Sequence, residues 1–212
     1  MKLGIFAKTF PGTTPLVVLQ AAAAAGYASV QYNMACSGLN PLPDEVTAEV
    51  AQTVHDASSV TGVAIAAISA TYNMTHPDHA KRRAGRSSFA VIAAQAKAMG
   101  SNLLTVCSGS MDAEDQWRHH PDNNSSAAWN EMIAEFRALI EIADQHDILI
   151  GVEPELANIV SSAEKARTLI DSLGSDRIRI VLDPANLAEV ATPDDRRRII
   201  ADAVDLLADR IV

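Results

Sequence analysis

The chain alternates short apolar runs with longer, alanine-rich segments of helical character. The apolar runs predict strands over residues 3–7, 28–32, 63–69, 103–107, 148–153, 178–183 and 210–212. Gly62 and Gly174 each follow a helical segment and precede a strand, which is typical of helix ends. Thr192 before Pro193 is typical of a helix start. This regular succession of strands and helices predicts an α/β protein with a parallel sheet.

Two parallel architectures fit this pattern, an open doubly wound sheet and a closed (β/α)8 barrel. The turn after the first strand, residues 6–12, lacks the G-x-G-x-x-G spacing of an open dinucleotide-binding sheet. Polar residues follow almost every strand, at the edge where barrel enzymes bind their ligands. We therefore predict a single TIM-barrel domain over residues 1–212. It has about six βα units and the start of strand seven, and it is truncated before strand eight.

Composition and charge exclude several classes of function. Lys and Arg number 17 against 26 Asp and Glu, so the net charge of −9 disfavours nucleic acid as a partner. No apolar run reaches the roughly 18 to 20 residues that a membrane-spanning helix needs, and the N-terminus does not resemble a signal peptide. Cys36 and Cys107 have no metal-type or disulfide-type spacing, so we expect a reduced, cytoplasmic protein.

Glu153 and Asp183 are the strongest candidates for chemistry. Each ends an apolar run and precedes a proline, which places its carboxylate at the last position of a predicted strand. Two carboxylates at adjacent strand ends repel each other, and a divalent cation removes that cost. Oxygen ligands suit Mg²⁺ or Mn²⁺, while an added imidazole favours Co²⁺ or Zn²⁺. The alternative is that both residues cap helices or pair with an arginine.

Five segments at strand ends carry a family resemblance; they are residues 3–6, 67–78, 105–110, 151–155 and 182–187. In this order they resemble the sugar phosphate isomerase/epimerase family of xylose isomerase-like TIM barrels. Relatives of that family include tagatose and psicose 3-epimerases, inosose dehydratases and endonuclease IV.

The resemblance implies one divalent metal ion (Mn, Mg, Co or Zn) held by Glu, Asp, His and Glu from strands five to eight. Glu153 matches the first ligand, which in the epimerases is also one of two acid/base carboxylates, and Asp183 matches the second. The implied reaction is proton abstraction next to the carbonyl of a sugar or sugar phosphate. The metal ion stabilises the resulting enediolate, and a second carboxylate returns the proton.

The sequence also departs from the family pattern. It stops at Val212 in the predicted seventh strand, and no His or Glu follows Glu189. We therefore expect a fragment, or a chain that needs another chain, which is inactive alone and whose open strand edges favour self-association. Asn186 stands where the ketose epimerases carry a substrate-binding histidine. Glu155 and Asn158 replace their Asn-Arg-Phe-Glu run and are candidates for binding sugar hydroxyls, although Glu155 equally suits a helix cap.

Other candidate residues lie in two loops after predicted strands. His76 either binds a sugar hydroxyl or phosphate, or is a turn residue before Pro77. The long loop over residues 108–124 includes Trp117 and Arg118, which we assign to substrate binding. The Trp117 ring either stacks on a sugar or anchors the loop. Cys107, at the end of strand four, is interpreted as a packing residue.

These features favour a metal-dependent sugar isomerase or epimerase. A lyase on the same scaffold, which dehydrates an inosose or a dehydroshikimate-type acid, remains open, as does a non-catalytic truncated barrel. An endonuclease IV-like activity is disfavoured because it needs several metals, more histidines and a basic surface.

Overall fold

Six strands form one sheet, in the order in which they occur along the chain. The structure is a computed structural model that describes residues 2–188 and 190–212. The strands are β1 (Gly4–Phe6), β2 (Ser29–Tyr32), β3 (Ala64–Ser69), β4 (Leu103–Cys107), β5 (Leu149–Glu153) and β6 (Ile178–Ile180). Their sequential order agrees with the βα repeat that the sequence predicts.

Seven helices connect or follow these strands in the described residues. They are α1 (Pro15–Ala24), α2 (Ala48–Thr61), α3 (His79–Met99), α4 (Ser126–His146), α5 (Ala163–Leu173), α6 (Pro184–Ala188) and α7 (Pro193–Leu207). Short 3-10 helices occupy Ala7–Thr9, Met34–Ser37 and Pro121–Asn124. In the part of the chain that the structure describes, no helix combines the length and the apolar character needed to cross a membrane.

The helix ends confirm the signals in the sequence. Thr192 is the N-cap of α7, and its side chain accepts a hydrogen bond from the backbone N–H of Asp195. Gly62 and Gly174 end α2 and α5 in the left-handed conformation, with φ of 72° and 58°. Glycine adopts this conformation without the steric cost that a Cβ atom adds.

The chain divides into two compact units, each of which is described by itself. The first includes the chain up to Thr71, Ser87–Thr105 and Ile142–Leu149. In it β1, β2 and β3 pair in parallel, with Ile5 opposite Val30 and Val30 opposite Ile65. Its fully buried side chains include Val18 and Leu19 of α1 and Val54 of α2.

The second unit comprises Tyr72–Arg86, Val106–Glu141 and Ile150–Val212. Here β5 and β6 pair in parallel, with Ile150 opposite Ile178 and Val152 opposite Ile180. Ile211 forms a further parallel bridge to Ile180. This bridge confirms that the predicted seventh strand begins there.

Strand β6 is shorter than the sequence predicts. It ends at Ile180, and the prediction that it reaches residue 183 is wrong. The backbone N–H of Val181 still donates to the carbonyl oxygen of Val152 at 2.9 Å, but the chain then turns into α6 at Pro184. Asp183 therefore lies in a turn after the strand.

Candidate active site

The candidate site lies in the second unit, at the carboxyl ends of β4 and β5. Along β5 the side chains of Ile150 and Val152 are fully buried, while Glu153, at the end of the strand, is half-buried. Pro154 follows and has no N–H to continue the ladder. The apolar run thus fixes the strand, and the acidic residue is placed where the strand stops.

The side chain of Asn186, on α6, holds two acidic residues together. Its Nδ2 atom donates to Oε1 of Glu153 at 3.0 Å and to Oε1 of Glu155 at 2.7 Å. Three of the predicted site residues, Glu153, Glu155 and Asn186, are therefore in direct contact.

The sulfur atom of Cys107 lies close to the carboxylates of Glu153 and Glu155. It is the last residue of β4 and is only 3% exposed. Its sulfur atom and one carboxylate oxygen each from Glu153 and Glu155 all lie within 4.8 Å of one another. The structure thus adds to the predicted site a residue that the sequence analysis assigned to packing. Its position at a strand end, like that of Glu153, is the signal that was available.

Asp183 does not have the position that the sequence predicts. Its Oδ1 accepts a hydrogen bond from the backbone N–H of Ala185 at 2.8 Å, so it occupies the start of α6 rather than a strand end. This arrangement matches the helix-capping alternative. Asp183 is nevertheless close enough to act electrostatically on Glu153. The two carboxylates are brought near each other, but Asp183 is not among the three ligand atoms that lie within 4.8 Å.

The surroundings of Glu153 favour its neutral form. Burial raises the pKa of Glu153 above its ordinary value, the negative charge of Asp183 raises it further, and the hydrogen bond from Asn186 opposes both effects. A carboxyl group with a raised pKa is suited to both giving and taking a proton near neutral pH.

The donor set fits a divalent cation. Two carboxylates and a thiol offer oxygen and sulfur ligands from three residues, which is a common number for catalytic Zn²⁺ sites in proteins. In residues 2–188 and 190–212, neither Glu153 nor Asp183 forms an ion pair with a lysine or arginine. A divalent cation bound beside them would balance the charge of these two carboxylates.

Buried amide side chains hold the loops around the site. Asn158 is 2% exposed; its Oδ1 accepts from the backbone N–H of Gly109 at 2.9 Å, and its Nδ2 donates to the carbonyl of Gln116 at 2.9 Å. Asn158 therefore joins two parts of the 108–124 loop, and the sugar contact assigned to it stays a prediction.

Asn73 and Asn123 also hold this loop through hydrogen bonds to its backbone, a role that the sequence did not predict. Asn73 donates from Nδ2 to the carbonyl of Ser110 at 2.8 Å, and its Oδ1 accepts from the backbone N–H of Ser110 at 3.0 Å. Asn123 accepts from the backbone N–H of Met111 and donates to the carbonyl of Ala157, both at 2.8 Å. Nothing in the local sequence distinguishes an asparagine that joins two loop segments from one that lies exposed to solvent.

A second part of the loop region contains the other predicted substrate residues. His76 and Trp117 line a cavity of about 300 Å³. Its other walls are Asn73, Lys81, Asp112, Ala113, Glu114, Asp115 and Gln116. The Trp117 side chain is 50% exposed. It is therefore accessible to a ligand in this cavity.

His76 and Arg118 are both held by protein groups. Nδ1 of His76 accepts from the backbone N–H of Asp78 at 2.9 Å, so Nε2 carries the proton and donates to the carbonyl of Ala113 at 2.9 Å. Arg118 donates two parallel hydrogen bonds to Asp112, at 2.7 and 2.8 Å, which hold the pKa of that carboxyl well below its usual range. The sugar or phosphate contacts assigned to His76 and Arg118 stay predictions.

Comparison with known proteins agrees with the fold. A family model described as xylose isomerase-like TIM barrel matches residues 19–211. No curated protein matches the sequence. The predicted fold class is therefore confirmed.

Three solved structures illustrate the similarity. The apo 3-keto-D-glucoside 4-epimerase YcjR from E. coli has a TM-score of 0.77 and 14% identity, over 100% of this chain and 76% of that one. The probable 3-DHS dehydratase AsbF from Bacillus anthracis has a TM-score of 0.75 and 13% identity, over 100% and 71%. A xylose isomerase-like TIM barrel protein from Mycobacterium smegmatis in complex with magnesium has a TM-score of 0.71 and 12% identity, over 99% and 72%.

Proposed function

Since the chain belongs to the xylose isomerase-like TIM barrel family, we propose that it is a divalent-metal-dependent isomerase or epimerase of a sugar or sugar phosphate. One observation carries this proposal. A single amide, that of Asn186, joins the carboxylates of Glu153 and Glu155, with a sulfur ligand close by, at the strand ends where this fold binds its ligands.

Glu153 and Asp183 are the residues that we propose for holding the metal ion. Both are acidic, and they lie near enough for the charge of one to act on the other. These two residues would hold a divalent cation, whether Mg²⁺, Mn²⁺, Co²⁺ or Zn²⁺, and the chemistry that it would supply is polarisation of a carbonyl oxygen and stabilisation of developing negative charge. The similar barrel protein in complex with magnesium supports the proposed use of a divalent metal ion.

Glu153 is also the proposed acid/base residue. Its raised pKa suits it to take a proton from a carbon next to a carbonyl and to return one. Asn186 and Glu155, in contact with each other beside it, are the proposed binding groups for sugar hydroxyls. Trp117 is half-exposed in the wall of the cavity that His76 also lines, and it is the proposed surface against which a sugar ring packs.

A dehydratase is the second candidate, and the similarity to the probable 3-DHS dehydratase favours it. Both reactions begin with removal of a proton next to a carbonyl. They differ in the next step, because a lyase expels a hydroxyl as water from the adjacent carbon, whereas an epimerase returns the proton. The products distinguish the two candidates.

Proton exchange with solvent tests the proposal directly. Because the 212-residue chain by itself is expected to be inactive, the full-length protein is loaded with Mn²⁺ and incubated in D₂O with a panel of ketohexoses, their phosphates and cyclic keto acids. The products are followed by NMR. We expect deuterium on the carbon next to the carbonyl of at least one compound, and loss of that exchange in Glu153→Gln. Glu131→Gln is the matched control, because Glu131 is a half-exposed glutamate of the same unit that pairs with Arg82. Absence of exchange across the panel contradicts the proposal.

We also propose that the protein is cytoplasmic. Neither Cys36 nor Cys107 forms a disulfide, which agrees with the reducing cytoplasm.

Self-association of the chain through its open strand edges is also proposed. It is measured by light scattering on the protein as it elutes from a sizing column, and a mass of one chain at all concentrations excludes it.

A further inference from the structure

We infer that the thiolate of Cys107 is a ligand of the cation at this site, and that the protein therefore prefers Zn²⁺ or Co²⁺ to Mg²⁺. This inference rests on the proposed function only for the existence of the cation site. It concerns which side chains bind the ion and which ion they select. Cys107 and Glu155 would join Glu153 as ligands, and Glu155 would then bind the ion in place of a sugar hydroxyl.

The distances agree with one ion shared by three residues. The ligand atoms of Cys107, Glu153 and Glu155 lie within 4.8 Å of one another. Zinc binds sulfur at about 2.3 Å and carboxylate oxygen at about 2.1 Å, so two ligands of one ion lie at most roughly 4.4 Å apart. Small side-chain rotations bring the three atoms inside that limit.

The chemical surroundings of Cys107 differ from those of a packing residue. A buried thiol that serves only to fill space behaves as a small hydrophobic side chain and packs among apolar groups. Cys107 is 3% exposed, yet two half-buried carboxylates face its sulfur. The sulfur thus lies at the protected side of the cluster, and the carboxylates lie on the more exposed side.

Sulfur among the ligands determines the preferred metal. Thiolates suit Zn²⁺ and other softer ions, whereas Mg²⁺ takes oxygen ligands and gives up its waters reluctantly. On binding, the thiol releases its proton to solvent, so affinity for Zn²⁺ or Co²⁺ rises with pH.

Cys36 is the matched control for Cys107. It is also a buried cysteine, 1% exposed, and it lies in the first compact unit. Among the described residues it belongs to no group of metal ligands. A substitution at Cys36 therefore changes the thiol content equally without touching the proposed site.

Cobalt absorption spectra provide the test. The protein is stripped of metal and titrated with Co²⁺, and the near-ultraviolet sulfur-to-cobalt charge-transfer band is recorded for wild type, Cys107→Ser, Cys107→Ala and Cys36→Ser. We expect the band in wild type and Cys36→Ser and its loss in both Cys107 variants. Their Co²⁺ affinity falls at least roughly tenfold, the loss that removal of even an outer partner of a metal ligand produces. Circular dichroism confirms that each variant is folded.

The outcomes separate this inference from the proposed function. Glu153-dependent Mn²⁺ binding without any cobalt–sulfur band contradicts the role of Cys107 and leaves the proposed function intact. A band that persists in folded Cys107→Ser also contradicts the inference. If wild type binds neither Co²⁺ nor Mn²⁺, both proposals are wrong.

Discussion

The Nδ2 atom of Asn186 lies 3.0 Å from Oε1 of Glu153 and donates a hydrogen bond to it. This contact lowers the pKa of Glu153, against the larger effect of burial. The same nitrogen also donates to Glu155. Asn186 thereby holds the two acidic side chains next to each other and stabilises the charged form of Glu153.

Replacing Asn186 with alanine tests this relationship. We expect the pKa of Glu153 to rise further, because the favourable hydrogen bond to its charged form is lost. A cation binds the deprotonated carboxylate, so the midpoint pH of Mn²⁺ binding moves upward. Binding is measured by electron paramagnetic resonance across a pH series. Asn130→Ala, at an exposed position of α4, is the control and leaves the midpoint unchanged.

Glu153→Gln is expected to stabilise the metal-free protein. The folded-state pKa of Glu153 is raised above the ordinary value of 4.5, so ionisation at neutral pH costs folding free energy. Below pH 4.5 the group is protonated in both states and the cost disappears. The melting temperature of Glu153→Gln therefore exceeds that of wild type at pH 7, and the difference vanishes in acid.

The opposite result is expected for Glu164→Gln. The hydrogen bond from Ser162 lowers the pKa of Glu164 in the folded state, so its charged form stabilises the protein above the ordinary pKa. This variant loses stability at pH 7 and matches wild type at low pH. If Glu153→Gln lowers the melting temperature at pH 7, the assignment for Glu153 is wrong, and if Glu164→Gln raises it, the assignment for Glu164 is wrong.

Gly85→Ala is expected to destabilise the second unit. A Cβ atom at this position in α3 would collide with Cδ2 and Cγ of the Tyr72 ring. The Tyr72 hydroxyl donates to Glu135 at 2.7 Å, which holds the ring in place. We expect a loss of about 1–3 kcal/mol in urea unfolding, as for an overpacked core. A glycine within a helix normally gains stability on this substitution, so a gain contradicts the described contact.

Asn158→Ala distinguishes a loop-joining role from a substrate contact. The variant leaves the buried N–H of Gly109 without its acceptor, which costs about 1–3 kcal/mol in unfolding free energy. Asn158→Asp keeps that acceptor and is expected to recover part of the loss. If Asn158→Ala unfolds like wild type but raises the KM for the substrate found by proton exchange, the substrate assignment is correct instead.

Trp117→Ala is expected to affect ligand binding more than stability. Half of the Trp117 side chain is exposed, so little buried apolar area is lost on truncation. We expect a higher KM or a lower kcat for the substrate that proton exchange identifies, with an unchanged melting temperature. A clear loss of stability with unchanged kinetics favours the loop-anchor interpretation.

The sequence by itself determined the succession of strands and helices, because hydrophobic period and capping residues act over a few neighbours. Thr192 and Gly174 are recognisable for that reason, and Glu153 followed by Pro154 marks a strand end. The predicted strand-end position of Asp183 was wrong, and its pairing with Glu153 as metal ligands stays a prediction. The run of apolar residues through Leu182 does not reveal that hydrogen bonding along β6 stops earlier.

Only the tertiary structure decided which polar side chains meet. Cys107 and Glu155 lie 48 positions apart in the sequence. Their side chains come close together only because the ends of β4 and β5 lie side by side. The burial of Asn158 is also a tertiary property, because its partners are backbone groups of a distant loop. Local pattern located the end of β5 but not that of β6, and contact between strand ends is set by the packing of the whole unit.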